Sequence, residues 1–225
     1  MEGKELRADL HCHTCFSYDA FSPLWAIARI CKLRGIGCLA ITDHNDVEGA
    51  LILNEMVDFK VIVGEEISTR DGDIIGLFLK GRIPAGLSLL GTISAIHEQG
   101  GIVYLPHPFD GVPSKKRLSK RILQNIVSQI DVIEGFNARS LRTEYNAKAM
   151  SFARENNLPI GAGSDAHTPL EIGDAVVLMD DFQTPQDFIQ SVSKSKIEGR
   201  RSSLVMRAFL NHNTRKILRN VIFKS

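Results

Sequence analysis

Short apolar runs alternate with amphipathic segments along most of the chain, and turn residues separate them. Residues 8–14 (ADLHCHT) read as a strand. Ser22 as N-cap, with Pro23 at the first helical position, opens a helix that Gly35 closes. A strand at 37–42, a helix from Asp46 to Met56 and a strand at 59–68 follow. The Asp71-Gly72 turn marks 69–80 as a hairpin extension. Ser88 to Gln99 is a helix closed by Gly100-Gly101, and 102–106 is a strand. A polar loop with Lys115, Lys116 and Arg117 then leads into a helix ending near Gln129. Strand 131–137, helix Arg142–Asn156, strand 158–164 and strand 173–179 come next. Thr184-Pro185 opens a last helix before a basic tail.

Strands that alternate with helices predict parallel pairing and right-handed crossovers. Seven such units predict an α/β fold with a closed or nearly closed barrel, whose active site lies at the C-terminal ends of the strands. One domain is expected over 1–195. Residues 196–225 are expected to be a basic C-terminal tail that packs on the barrel or on a partner subunit.

Composition adds a few bounds. A chain of 225 residues can bury a core that needs no staples. The net charge of +1 favours no class of partner. No apolar stretch approaches the ~18 residues of a membrane span. The N-terminus, MEGKELRADLHCHT, is charged and has no apolar signal region, so a cytoplasmic location is expected. Cys12, Cys15, Cys31 and Cys38 are too few and too clustered for a disulfide framework. Cys12 of the Cys12–Cys15 pair lies inside an expected strand, where a redox pair would open a helix, and no second pair completes a four-thiolate zinc site.

The candidate chemistry sits where the barrel rule puts it. Of seven histidines, five (His11, His13, His44, His107 and His167) fall at or just after predicted strands. His11 and His13 are two apart and share one strand face, with Cys12 on the other. Asp43-His44 ends the second strand, Glu65-Glu66 the third and His107 the fourth; Glu134 lies in the fifth, and Asp165 and His167 end the sixth. Singly, each reads as a helix cap or a satisfied loop residue. Together they bring many ionisable groups to one barrel mouth, which is costly unless cations neutralise them. Imidazole with carboxylate suits zinc, manganese or iron. Clustered ions clamp phosphate oxygens and make hydroxide available near neutral pH, with no serine or cysteine nucleophile. No GxSxG elbow, Walker loop or GxGxxG supports a competing mechanism.

At these residues the sequence resembles the PHP (polymerase and histidinol phosphatase) superfamily. The stretches DLHCHTCFSYDA, AITDHNDVEGA, GEEIS, YLPHP, VIEGFN and GSDAHTPLEIG carry the resemblance, in the family's order, from residue 9 to 173. The resemblance implies a distorted (β/α)7 barrel with two or three divalent ions. Carried over by position, His11, His13, Glu66 and Asp165 would hold the first ion. Glu66 would bridge to a second, also held by His107 and Glu134. Asp19, His44 and His167 would hold the third. Glu66 rather than Glu65 takes the bridging role, because Ile67-Ser68 follows it as in the family. Glu66, His107, Asp165 and His167 are the expected catalytic residues. In length the chain resembles the stand-alone phosphoesterases of the family rather than the polymerase-embedded domain.

A phosphate needs further donors. Arg139, just after the fifth strand, could clamp it in bidentate fashion, and Lys115 and Lys116 could reach in. The expected partner is a small phosphorylated molecule such as a nucleotide. The tail is basic, but no aromatic-basic motif indicates nucleic acid, and no membrane partner is expected. The leading expectation is hydrolysis of a phosphoester by metal-activated hydroxide. The alternatives are a 5′-to-3′ exonuclease on short oligonucleotides and a catalytically inactive binding module.

Overall fold

A computed structural model describes residues 5–110 and 118–202. In chain order the elements are β1 (Leu6–Cys12), α1 (Leu24–Arg34), β2 (Cys38–Ile41), α2 (Glu48–Met56), β3 (Lys60–Ser68), β4 (Asp73–Leu77), α3 (Leu89–Glu98), β5 (Ile102–Leu105), α4 (Lys120–Ile126), β6 (Val132–Asn137), α5 (Thr143–Glu155), β7 (Ile160–Gly163), β8 (Ala175–Met179), α6 (Pro185–Lys194) and β9 (Lys196–Gly199). One sheet holds all nine strands in the order β7-β6-β5-β4-β3-β2-β1-β8-β9. It curls until β7 meets β1 at one end. There the His13 amide donates to Ala166 O (2.9 Å) and the Asp165 amide to His11 O (2.8 Å). The result is the nearly closed α/β barrel that the alternation predicted, distorted as the resemblance implied.

The pairing is less uniform than the alternation predicted. β1–β2–β3 and β5–β6–β7 are parallel, but β4 runs antiparallel to both β3 and β5, and β8 runs antiparallel to β1. Connection length decides this. Only Thr69 to Gly72 separates β3 from β4, which suffices for a hairpin but not for a crossover helix. Between β7 and β8 there is only a 3-10 turn at Pro169–Glu171. The segment expected as a hairpin extension is therefore part of the barrel wall. The first residues of the expected tail form β9, antiparallel to β8; the rest of the tail, from residue 203, lies outside the described residues.

The interior is filled by a cluster that takes at least one residue from each of β1 to β8, among them Leu10, Ala40, Ile62, Leu77, Tyr104, Val132, Ala162 and Val177. The opposite sheet face packs on helices: Leu39, Ile41 and Val176 with Ile27, Cys31 and Leu53, and Val103, Leu105 and Ile133 with Ile93, Ile96 and Leu123. Phe78, Phe182 and Phe188 meet edge to face near the N-terminal end of β3.

Local details differ from the sequence reading where tertiary contacts intervene. Pro23, not Ser22, is the residue before α1, and no side chain caps that helix. The carbonyl of Ser22 is engaged by the Cys15 amide at 3.0 Å, which holds Ser22 in the loop. Thr184 and Asp187 form the capping box of α6 with Pro185 in the first turn. All four cysteines are free thiols. Cys12 packs among α1 and α2 residues, away from the barrel mouth. Burial pushes the Cys31 thiol up to about 12 and the Cys38 thiol well above the ordinary thiol value, so both stay protonated at neutral pH. Among the described residues no helix is long and apolar enough to cross a membrane.

Candidate metal centre

The mouth of the barrel is built from the ends of six strands. His11 lies in β1 and His13 just beyond it, and Asp19 follows in the loop to α1. A register shift between Asp9 and Cys12 lets the chain change phase. Ala8 and Leu10 face the interior core, yet His11 and His13 reach the mouth while Cys12 turns outward. Strand bulges commonly re-aim side chains next to functional sites in this way. His44 follows β2 and bridges to Glu66 of β3. Along β3 the alternation separates the two acids. Glu66 faces the histidines, whereas Glu65 turns away and accepts from the Ile83 amide at 2.8 Å.

His107 follows β5, and Asp165 follows β7. Both hold left-handed backbones, with φ of 26° and 52°. Non-glycine residues seldom adopt φ above zero, and such strain concentrates at functional positions. Glycine provides room behind them. A Cβ on Gly163 would lie 2.2 Å from His11 Cβ and 2.7 Å from Glu134 Oε1. Gly163→Ala is therefore expected to destabilise the protein by about 1–3 kcal/mol through overpacking. For a chain of this size that lowers Tm by roughly 2–12 °C, which a thermal melt reads. A melt superimposable on wild type would contradict the close approach.

Two imidazole nitrogens and two carboxylate oxygens converge at the centre. His11 Nε2 and His13 Nε2 are 3.2 Å apart. Glu66 Oε2 lies 3.4 Å from each of His11 Nε2, His13 Nε2 and His44 Nδ1, and makes no hydrogen bond although buried. Asp165 Oδ1 is 3.4 Å from His13 Nε2 and 3.8 Å from His11 Nε2. Donors arranged tetrahedrally about a cation at roughly 2.0–2.1 Å are about 3.3 Å from one another. The observed spacings match that arrangement better than a hydrogen-bonded one, so these residues fit a divalent ion. His11–His13–Glu66, His11–His107–Asp165 and His13–His44–His167 each present donor atoms close enough to share an ion.

The flanking residues continue the cluster. His107 Nε2 contacts Glu66 Oε1 at 3.1 Å. Asp19 Oδ2 lies 3.1 Å from His167 Nε2 and 3.4 Å from His44 Nε2. Glu134 behaves differently. Its Oε1 meets His11 Nδ1 at 2.9 Å, and its Oε2 accepts from the His107 amide (2.7 Å) and from Asn137 Nδ2 (3.0 Å). Both oxygens are engaged, and Glu134 holds the His11 ring as outer carboxylates do for metal-bound histidines.

The electrostatics follow from burial. Buried His11 would resist protonation, but Glu134 and Asp165 outweigh that and hold its pKa well above the usual histidine value. Burial and the neighbouring His167 push His13 down to about 3. Burial also opposes a charge on His44, yet Glu66 and Asp19 raise it to about 9. Glu66 stays well below the usual carboxylate range because His44, His107 and His11 outweigh its burial. Without a metal, protons on His11 and His44 balance the carboxylates.

Other sequence candidates have structural partners. Asp43 accepts from the Thr14 amide (2.6 Å) and hydroxyl (2.7 Å) and braces the loop after β1. Arg139 Nη1 pairs with Glu171 Oε1 at 3.4 Å. Glu171 in turn accepts from the His167 and Thr168 amides through Oε2. Lys115 and Lys116 lie outside the described residues. Three supporting residues escaped the sequence reading. Ser17 Oγ sits 3.0 Å from His13 Nδ1 and accepts from the His44 amide at 3.0 Å. Asn137 Nδ2 donates to Glu134 and to Asp165 Oδ2 (3.2 Å). Asp9 ties β1 to the Ser164 amide (2.9 Å) and the Gly173 amide (2.8 Å). All three fall within the resembling stretches, which was their one visible signal.

A nearly closed α/β barrel with imidazoles and carboxylates gathered at its mouth defines a barrel protein equipped to bind divalent metal. The chain belongs to the PHP superfamily. Residues 143–197 match the PHP-associated family model. The chain is 35% identical over 175 residues to the uncharacterized protein MJ0417 of Methanocaldococcus jannaschii, covering 76% of this chain and 70% of that one. Its fold matches PsfC from Pseudomonas syringae with a TM-score of 0.70 at 18% identity, over 95% of this chain and 99% of that chain. It also matches a Bacteroides vulgatus two-domain protein containing a predicted PHP-like metal-dependent phosphoesterase, with a TM-score of 0.67 at 17% identity. That match covers 88% of this chain and 66% of the other.

Proposed function

We propose that the protein is a metal-dependent phosphoesterase that hydrolyses a phosphomonoester or nucleotide-like ester at a site for two or three zinc, manganese or iron ions. The observation that carries this reading is Glu66 Oε2, a buried carboxylate oxygen with three imidazole nitrogens at 3.4 Å and no hydrogen bond. His11, His13, Glu66 and Asp165 would hold one ion. Glu66, through its other oxygen, and His107 would hold a second, and Asp19, His44 and His167 a third. Ions held there polarise phosphate oxygens and lower the pKa of water towards neutrality.

The chain's own groups prepare that site. With His11 in the Nδ1–H tautomer, Glu134 accepts a hydrogen bond from Nδ1–H, which leaves the Nε2 lone pair facing the centre. Ser17 orients His13 in the same way. Asn137 holds Glu134 and Asp165 in register. Arg139, steadied by Glu171 beside the His167 loop, is the candidate contact for a phosphate oxygen.

The test is a phosphate-release screen over nucleotides, sugar phosphates and amino-alcohol phosphates. Chelated protein is expected to be inactive, and manganese, zinc or iron(II) to restore activity. Release that survives chelation, or no release from any ester in the presence of metal, would overturn the reading.

A further inference from the structure

Tyr18 is 68% exposed, an unusual state for a large ring at the mouth of a buried site. It lies stacked on His44, with ring centroids 5.0 Å apart and planes 26° from parallel. Its neighbours in sequence fix it there. Ser17 contacts His13 and the His44 amide, and Asp19 contacts His44 and His167. The ring is thus anchored at the cluster through the residues on either side of it, while most of its surface faces solvent. Trp25, 64% exposed, is the other large aromatic side chain on the surface of the described residues. It sits in the first turn of α1, the helix into which the same loop leads.

An aromatic ring stacked beside a site that would hold phosphate-binding cations is suited to one task. Rings stack on planar π-systems with little selectivity among them, and phosphate chemistry supplies such systems as the non-phosphate part of an ester. With the phosphate at the ions, the organic group of an ester would lie towards the exposed phenol beside His44.

We propose that Tyr18 is the specificity-determining platform of this site, stacking on a planar group of the phosphoester, either a nucleobase or a simple aryl ring, and selecting such esters over aliphatic ones. This rests on the phosphoesterase reading. The alternative role for the ring is to shield His44 only, which predicts no preference among esters.

Non-hydrolysable ligands test it by equilibrium binding to the full, manganese-loaded chain. Phenylphosphonate and a nucleoside 5′-phosphonate are compared with methylphosphonate in calorimetric titrations. The better of the two planar ligands is expected to bind roughly ten-fold or more tightly than methylphosphonate. Which of the two it is assigns the platform to a nucleobase or to an aryl group. Tyr18→Phe is expected to keep the ratio and Tyr18→Leu to bring it close to one. A wild-type ratio close to one overturns the proposal without reference to any variant, and so does a ratio that survives Tyr18→Leu. A ratio of one alongside normal phosphate release removes the platform alone. An intact ratio without phosphate release from any ester removes the phosphoesterase reading.

Discussion

Replacing His11 and His13 together by alanine is expected to strip the bound metal and to lower phosphate release at least about a thousand-fold, since metal-activated water and charge neutralisation contribute several kcal/mol to such reactions. Both rings contribute Nε2 atoms to the same centre, and Glu66 and Asp165 face them. Without the rings these buried carboxylates confront one another and Glu134 loses its partner. A lower Tm is therefore expected as well, and circular dichroism checks that the barrel persists. His97→Ala is the control. His97 sits on α3, far from the mouth in the topology, and makes only a half-exposed contact with Asp131 at 3.5 Å. It should leave metal content and rate unchanged. An undiminished rate in the double variant would remove the metal mechanism.

The second large effect is on metal affinity as a function of pH. In the metal-free chain His44 titrates at about 9, above its ordinary 6.5, because Glu66 and Asp19 outweigh its burial. His11 is also raised, by Glu134 and Asp165 against its burial. A metal ion must displace these protons. Apparent affinity should therefore climb from pH 6 to about 9, by about ten-fold per pH unit for each proton displaced. Calorimetric titrations in two buffers of different ionisation enthalpy count the protons released. A raised histidine pKa stabilises the metal-free fold below the unfolded value near 6.5, and that contribution disappears as pH rises through about 9. Metal-free protein should thus weaken on the alkaline side, and metal-loaded protein should not. Affinity that is flat between pH 6 and 9 would contradict the charge balance at the centre.

Much of this centre was legible because its chemistry tracks strand ends. His44, Glu66, His107, Asp165 and His167 stand where short apolar runs stop, and parallel strands that share a barrel bring such ends together. The choice of Glu66 over Glu65 rested on the Ile67-Ser68 that follows it as in the family, and in the structure alternation along β3 turns Glu65 away from the histidines. Other features had no local signature. The register shift in β1 depends on how β2 pairs with it, so simple alternation placed His11 and His13 on one face without explaining why Leu10 shares the interior. The antiparallel placement of β4 and β8 follows from loop lengths too short for crossover helices, not from hydrophobic pattern. The supporting polar residues were hidden for a related reason. Asn137 and Glu171 are ordinary polar residues in sequence and acquire their partners only when β6, β7 and the following loop converge. Arg139, read as a candidate phosphate clamp, pairs with Glu171, a contact no local pattern announced.

Elemental analysis of the full chain, loaded with manganese or zinc and then desalted, tests most directly whether one pocket gathers these groups around cations. At least two divalent ions per chain are expected to be retained, with retention lost in the His11→Ala/His13→Ala protein and kept in His97→Ala. A correctly folded wild-type chain that retains no divalent ion would contradict the account.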